Sequence, residues 1–261
     1  MRAATMIVAL FAAIIVCGRA GAQVAERERI EIGLSTDRIS ITSDFSGADL
    51  TIFGALDNLD PLVRRQNRYD VIVTLEGPER LTTLRRKERV FGMWINMDSR
   101  DFANAPTSYS LSSTRPLRDM ATEKGLQLLS LGIGNLPIKP QADSGDPESD
   151  SEFGQALREI MVDKQLYNER IGDVQFLSTN LFRAALSLPA NVPIGVHRAR
   201  AYLFKNGQFI TETSAQLEIR KSGVEQMIYD YAHRYSFFYG IFAVALAMLT
   251  GWLGRLIFQK D

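Results

Sequence analysis

The sequence predicts a mainly β protein: an antiparallel, sandwich-like (Ig-like) periplasmic ectodomain with a helical insertion, plus one C-terminal transmembrane helix. Apolar and polar residues alternate with a period of two on both sides of a central region that has helical spacing. Gly, Pro, Asn and Asp separate these stretches, as they do in antiparallel sandwiches. A stretch of about 18 residues without a charge lies near the C-terminus, long enough to cross most of a bilayer.

The N-terminus has the features of a signal peptide, which we predict over residues 1–22. Arg2 supplies positive charge, an apolar stretch runs from Thr5 to Val16, and Ala20-Gly21-Ala22 fits a cleavage site. An uncleaved anchor is the alternative, but the apolar stretch is short for a span. Cys17 would leave with the signal, so the mature domain must be stable without disulfides.

Residues 23–113 are predicted to form the β-rich N-terminal part of the domain. Segments 38–42 and 69–75 alternate as strands with one buried face do. The next run carries large apolar residues on one face, which we expect to pack in the core: Phe91, Met93, Ile95 and Met97. Met93 and Met97 could alternatively bind copper(I) through their thioethers.

The stretch SDFSGADLTIFG, Ser43 to Gly54, raises the question of a ligand loop. An EF-hand counted from Asp44 would need a glutamate at its twelfth position, where Ala55 stands. We therefore expect a turn at Ser46-Gly47, followed by a strand with Leu50 and Ile52 directed into the core.

Residues 114–170 are predicted to form a helical insertion. A helix is expected to begin at Pro116, because apolar residues follow it at helical spacing. Residues 140–152 are polar, acidic and rich in turn formers, which predicts a loop. Ser149 and Glu152 fit a capping box for a second helix. The apolar stripe of that helix consists of Phe153, Leu157, Ile160 and Met161, with Lys164 at its end.

Residues 171–221 are predicted to form the β-rich C-terminal part. Segments 182–188, 196–204 and 209–219 are strand candidates, and Asn206-Gly207 predicts a tight hairpin between the last two. Three strands are few for a separate sandwich. The sequence leaves open whether the chain forms one sandwich or two coupled lobes.

The C-terminal segment is predicted to cross the inner membrane once. A juxtamembrane helix over 222–236 leads into a transmembrane helix over 237–258, and residues 259–261 form the cytoplasmic tail. Aromatic residues stand near both ends of the span, as they do at membrane interfaces. The signal peptide and the basic Arg255 together predict a periplasmic N-terminal domain and a cytoplasmic C-terminus.

Small residues recur along one side of this span at intervals of three and four. At 100° per residue they fall within about 80° of one another. Such a stripe lets a second helix approach closely, although Gly and Ala are also common in spans generally. We interpret it as a candidate docking surface for another inner-membrane protein or for a second copy. Its members are Gly240, Ala243, Ala247, Gly251 and Gly254, with His233 on the continuation of the same side.

A basic stretch forms a second candidate surface. It could be a solvated sheet face, it could pair internally with the acidic residues of 140–152, or it could bind an anionic partner such as lipid headgroups or an acidic protein. The candidate residues are Arg64, Arg65, Arg68, Arg85, Arg86, Lys87 and Arg89.

No motif predicts catalysis, a metal or a cofactor. His197 is expected to be a structural residue on a strand, and the sequence lacks the spacings of zinc ligands, a Gly-rich phosphate loop and a Gly-x-Ser-x-Gly elbow. The 30 basic residues balance the 30 acidic ones, which gives no indication of nucleic-acid binding. We expect a non-enzymatic protein without cofactors.

Three segments resemble a known family: Ser35–Leu56, the segment YDVIVTLEGP, and Pro106-Thr107-Ser108-Tyr109. In these segments and in its overall layout the chain resembles the alphaproteobacterial family named "putative transmembrane protein". The resemblance implies no catalytic residues, and it implies sulfite-exporter-type permeases as possible neighbours. Two main functions remain open. The protein is either a membrane-anchored periplasmic accessory protein that assists or regulates an inner-membrane partner, or a periplasmic binding module for an anionic ligand or envelope component. An envelope hydrolase is a third class.

Overall fold

The computed structural model describes residues 27–66, 68–141, 146–222 and 232–258. The predicted signal peptide (1–22), the predicted tail (259–261) and most of the predicted juxtamembrane helix lie outside these residues.

The strands of the described residues are β1 (Arg29–Leu34), β2 (Arg38–Ile41), β3 (Gly47–Asp57), β4 (Tyr69–Glu76), β5 (Thr82–Val90), β6 (Met93–Phe102), β7 (Tyr109–Ser113), β8 (Tyr167–Ile171), β9 (Val174–Phe176), β10 (Leu181–Pro189), β11 (Gly195–Lys205) and β12 (Gln208–Lys221). The helices are α1 (Pro61–Arg65), α2 (Leu117–Met120), α3 (Glu123–Leu128), α4 (Pro147–Asp163) and α5 (Ser236–Phe258), with a 3₁₀ turn at Ile133–Asn135.

Most strands belong to two sheets that pack face to face. One sheet has the order β1-β3-β10-β9 and is antiparallel throughout. The other has the order β2-β12-β11-β4-β7-β8, with parallel pairing only between β2 and β12 and between β7 and β8. Both sheets combine strands from the N-terminal and C-terminal β-rich parts. The chain therefore forms one sandwich, and the predicted mainly β fold class is confirmed.

The core between the sheets is built from alternate residues of each strand. Val71 and Val73 of β4 face this core, together with Leu50 and Ile52 of β3, and all four are essentially inaccessible to solvent. Ile72 faces the opposite side of its sheet and belongs to a second core. The predicted inward direction of Leu50 and Ile52 is confirmed.

The turn before β3 lies earlier than the sequence predicts. Ser43-Asp44 form it, and the Phe45 N–H donates to the Thr42 carbonyl at 3.1 Å. Gly47 instead opens the strand with a φ of 109°, a conformation that favours glycine. A Cβ at this position would lie 2.9 Å from the Leu188 carbonyl oxygen, so the neighbouring strand approaches closely.

The helical insertion covers the outer face of the six-stranded sheet. Phe153 and Leu157 of α4 pack in the second core with Ile72, Leu111 and Tyr202. This layer explains why β4 is buried on both of its faces.

The expected single helix after Pro116 is wrong. The backbone is extended at Ala121, with φ −152° and ψ 159°, and this residue separates α2 from α3. Thr122 then caps α3 by accepting a hydrogen bond from the Gly125 N–H at 3.3 Å. A threonine hydroxyl at this position satisfies a donor that a continuous helix would have bonded internally.

The loop predicted over 140–152 extends too far along the chain, and Ser149 is not the N-cap that the predicted capping box requires. The helix α4 begins at Pro147, and Asp146 is its N-cap, because the Asp146 carboxylate accepts a hydrogen bond from the Ser149 N–H at 3.3 Å. The predicted helical insertion also ends before residue 170, since β8 begins at Tyr167.

β5 and β6 form a hairpin that extends beyond both sheets. Its base continues the pairing of β4 with β7: the Gly77 N–H donates to the Ser108 carbonyl at 2.8 Å, and the Thr107 N–H donates to the Pro78 carbonyl at 3.1 Å. The hairpin is therefore an extension of β4 and β7, two neighbouring inner strands of the larger sheet.

The C-terminal helix α5 stands apart from the sandwich. Its stretch Ser236–Gly254 has a mean hydropathy of 1.8, and none of it is buried against the described part of the chain. By length and composition this helix can cross a membrane.

Candidate functional site

The predicted small-residue stripe lies on an uncovered side of α5. Gly240, Ala243, Ala247 and Gly251 are exposed, Gly254 is partly exposed, and His233 is exposed just before the helix. A Cβ added at any of the three glycines would meet no described atom within 4 Å. The space that a second helix would occupy is therefore open, and the docking role of the stripe stays a prediction.

The structure does not gather the seven predicted basic residues into one surface. Arg64 and Arg65 end α1, which precedes β4, whereas the hairpin follows β4. The two groups therefore leave the sheet at opposite ends of a strand about 23 Å long. Arg64 also lines a cavity of about 300 Å³ beside Asp70 and Arg115. Arg68 approaches the Asn206 side chain at 3.5 Å.

On one face of the hairpin, basic residues bind the acidic start of α4. Arg86 pairs with Glu152 at 3.1 Å, and its guanidinium lies 5.4 Å from the centroid of the Phe153 ring. Arg100 pairs with Asp150 at 2.8 Å and lies 5.1 Å from the same ring. The expected internal pairing with the acidic segment thus occurs, and among the described residues it engages Arg86 but none of the other six predicted residues.

The opposite face of the hairpin carries a row of basic residues, Arg85, Lys87 and Arg89, which we name the basic row. Alternate residues of a strand point to one face, so these side chains are about 7 Å apart along β5. All three are exposed, and none of them forms an ion pair with the described part of the chain. Trp94 lies directly across from Arg89 on β6.

The outer end of the hairpin is apolar and uncovered. We name as the apolar tip Phe91, Met93, Trp94, Ile95 and Met97, which are 99%, 64%, 70%, 40% and 57% exposed. The expectation that Phe91, Met93, Ile95 and Met97 pack in the core is therefore wrong. Met93 and Met97 are four residues apart on β6, and a register irregularity lies between them; their binding of copper(I) stays a prediction.

Sequence reasoning missed the apolar tip as a candidate site. Phe91-Gly92 forms the two-residue turn of the hairpin, and both residues have positive φ, 50° and 83°. The glycine between two alternating runs was the available signal for a hairpin turn. It does not reveal whether a second layer covers the strands.

His197 and Ser108 meet inside the sandwich. The Nε2 atom of His197 lies 3.2 Å from the Ser108 hydroxyl oxygen, and Nδ1 lies 3.4 Å from the Gly195 carbonyl oxygen. Burial lowers the pKa of His197, and the hydrogen bond with Gly195 opposes this shift. The imidazole is completely inaccessible to solvent, and the pair links β11 to the residue that precedes β7.

Together these features define a class of protein: a β sandwich followed by one C-terminal helix that can span a membrane. No curated protein matches the chain. Residues 29–260 match the family described as "Putative transmembrane protein (Alph_Pro_TM)", and the chain belongs to this family. The match spans the sandwich and α5, so the resemblance is confirmed over both.

Proposed function

We propose that the protein is a non-catalytic accessory protein of the inner membrane. In this proposal the sandwich lies in the periplasm, α5 crosses the bilayer, and the stripe on α5 docks against an inner-membrane partner, either a permease or a second copy of the chain. The signal-peptide features of residues 1–22 support export of the sandwich.

The observation that carries the proposal is the exposure of α5. The sandwich covers none of the stretch Ser236–Gly254, so lipid or another membrane protein must cover its apolar surface. A helix that served only as an anchor would need apolar residues of any size. The open space beside Gly240 and Gly251 gives α5 one side on which another backbone can approach closely.

The test compares leucine substitutions on two sides of α5. Ala247→Leu fills the stripe, and Ala247→Leu combined with Gly251→Leu fills it more completely. Ala245→Leu makes the same chemical change about 160° around the helix and is the matched control. Full-length variants are purified from membranes in mild detergent after cross-linking.

We expect both stripe variants to lose most of the cross-linked complex, while Ala245→Leu retains it. Equal yields of the complex from all variants would contradict docking through the stripe. Reporter fusions at the C-terminus test the orientation, and a reporter active on the periplasmic side would contradict it.

A further inference from the structure

The hairpin β5–β6 leaves the sandwich at the same end as the chain that leads to α5. β11 pairs antiparallel with both β4 and β12, and Arg198 of β11 lies opposite Glu76 while Gly195 lies opposite Ile219. The last residues of β4 and β12 are therefore at one end of the sheet. The two strands are two spacings apart, about 10 Å.

This shared end is the end of the sandwich that the chain tethers to α5. Residues 222–235 connect β12 to α5, and at roughly 3.5 Å per residue they span at most about 50 Å in any conformation. The base of the hairpin thus lies at the end of the sandwich from which the chain leads to the anchor, within that distance of the bilayer.

The apolar tip is suited to entering an apolar medium. Met93 and Ile95 lie on one face of the hairpin and Trp94 on the other, so both faces are apolar near the turn. A protein partner would cover one face, whereas lipid surrounds an inserted tip on all sides. Trp is also a residue that favours the headgroup level of a membrane.

The turn itself supports a role for Phe91. A bulky residue with a positive φ is an outlier, because Asn and Gly adopt this conformation more easily. Phe91 adopts it at the outermost point of the hairpin, where its side chain contacts almost nothing. Backbone outliers of this kind concentrate at functional sites.

The basic row supplies charge on the same structure. Its three cations are unpaired within the described residues, and Arg89 stands beside Trp94 near the tip. Anionic phospholipid headgroups attract basic residues held at their surface. The order of residues along the hairpin, basic and then apolar, matches the order of headgroups and acyl chains met on entering a leaflet.

We propose that the β5–β6 hairpin docks on anionic phospholipids of the bilayer that holds α5, with the apolar tip inserted at the interface and the basic row on the headgroup phosphates. This docking would hold the sandwich against the membrane surface. It stands whether or not α5 also binds a protein partner.

Trp94 is a built-in reporter for this proposal. The sequence has two tryptophans, so Trp252→Phe leaves Trp94 as the single emitter in the full-length chain. This protein is reconstituted into phosphatidylcholine vesicles with or without phosphatidylglycerol, and with bromine on part of the acyl chains. We expect bromine to quench Trp94 roughly twofold or more in the anionic vesicles and much less in pure phosphatidylcholine.

Two matched charge reversals test the basic row. Arg85→Glu with Arg89→Glu should abolish the extra quenching in anionic vesicles. Arg64→Glu with Arg65→Glu makes the same charge change before the other end of β4 and should retain it. Phe91→Asn gives a variant suited to the positive φ of the turn, and it should remain folded while quenching falls.

Circular dichroism and thermal unfolding establish that each variant is folded. The proposal is overturned if Trp94 is not quenched in anionic vesicles, or if quenching is the same in both lipids and insensitive to Arg85→Glu with Arg89→Glu. Trp94 that is shielded only by an added acidic protein or at high protein concentration would also overturn it, in favour of a protein partner or a second copy. None of these outcomes affects the test of the α5 stripe.

Discussion

Gly54 of β3 faces the ring of Phe182 on the neighbouring strand. A methyl group at this position should therefore lower the free energy of unfolding. A Cβ on residue 54 would lie 2.1 Å from Cζ and 2.3 Å from Cε1 of the Phe182 ring, and 2.9 Å from the Glu31 carbonyl oxygen. The ring is 0% exposed and lies in the core between the sheets. It cannot move away without displacing its neighbours.

The cost can be worked out as a double-mutant cycle. Gly54→Ala overpacks the core and should lower the free energy of unfolding by about 3 kcal/mol. Phe182→Leu removes the clashing ring atoms and should cost about 2 kcal/mol on its own. The double variant should lose about 3 kcal/mol rather than about 5, which is a coupling of about 2 kcal/mol. The remaining cost comes from the Glu31 carbonyl, which Phe182→Leu does not move.

Thermal unfolding of the full-length chain in detergent measures the cycle. Each kcal/mol corresponds to roughly 2–4 °C for a chain of this size, so Gly54→Ala should lower Tm by about 6–12 °C. Gly33→Ala in the neighbouring β1 is the matched control, because a Cβ there meets nothing within 4 Å. It should leave Tm within about 2 °C of the parent. Strictly additive losses would refute the reasoning, because they would mean that the ring is not what the methyl group meets.

Two further predictions concern His197 and the cap of α4. Because burial lowers the pKa of His197 below its usual 6.5, the unfolded chain takes up a proton as the pH falls through 6.5, and the native imidazole does so only at lower pH. The stability that depends on neutral His197 is present above about pH 6.5 and decreases as the pH falls below it. The Tm of His197→Gln should therefore fall less than the Tm of the parent between about pH 7.5 and 5.5. Equal decreases in Tm would contradict the argument. Asp146→Ala should cost about 1 kcal/mol by removing the N-cap. Ser149→Ala should lower the free energy of unfolding by less than Asp146→Ala does. A larger loss for Ser149→Ala in denaturant unfolding would show that Ser149 is the N-cap.

Local signals account for what the sequence predicted well. Val71 and Val73 alternate with neighbours that face the other way, and this pattern matches the period of a strand. Asn206-Gly207 forms the expected hairpin turn with φ values of 52° and 82°. Both features depend on residues that are adjacent in the chain, so no knowledge of distant contacts is required.

Two features could not be predicted from the sequence, because each depends on which of several contacts forms in the folded chain. Asp146 and Ser149 are both favourable N-cap residues, so the sequence does not show which of them caps α4. The backbone direction at the start of the helix makes Asp146 the N-cap. The separation of α2 from α3 at Ala121 has no glycine to signal it and follows from the packing of Met120 and Leu126 into the second core.

The hairpin shows most clearly what alternation cannot decide. Met93 and Ile95 alternate as Val71 and Val73 do, but β4 lies between two layers, whereas β6 extends beyond both sheets. Burial depends on whether another element lies over the strand, and that is set by pairing elsewhere in the chain. The pairing that begins between β4 and β7 therefore leads from two of the most buried strands of the described chain to one of its most exposed apolar surfaces.

Two uncovered apolar surfaces of the described chain, the apolar tip and α5, belong to segments that leave the same end of the sandwich. An exposed hairpin of this composition is a hazard for edge-to-edge association in water, and the basic row opposes such association only by repulsion. Two separate protein partners could each cover one surface. A single bilayer would cover both, and it would also supply the negative charge that the basic row lacks among the described residues. The position of the hairpin relative to the anchor therefore favours lipid over a second protein as the medium that it meets.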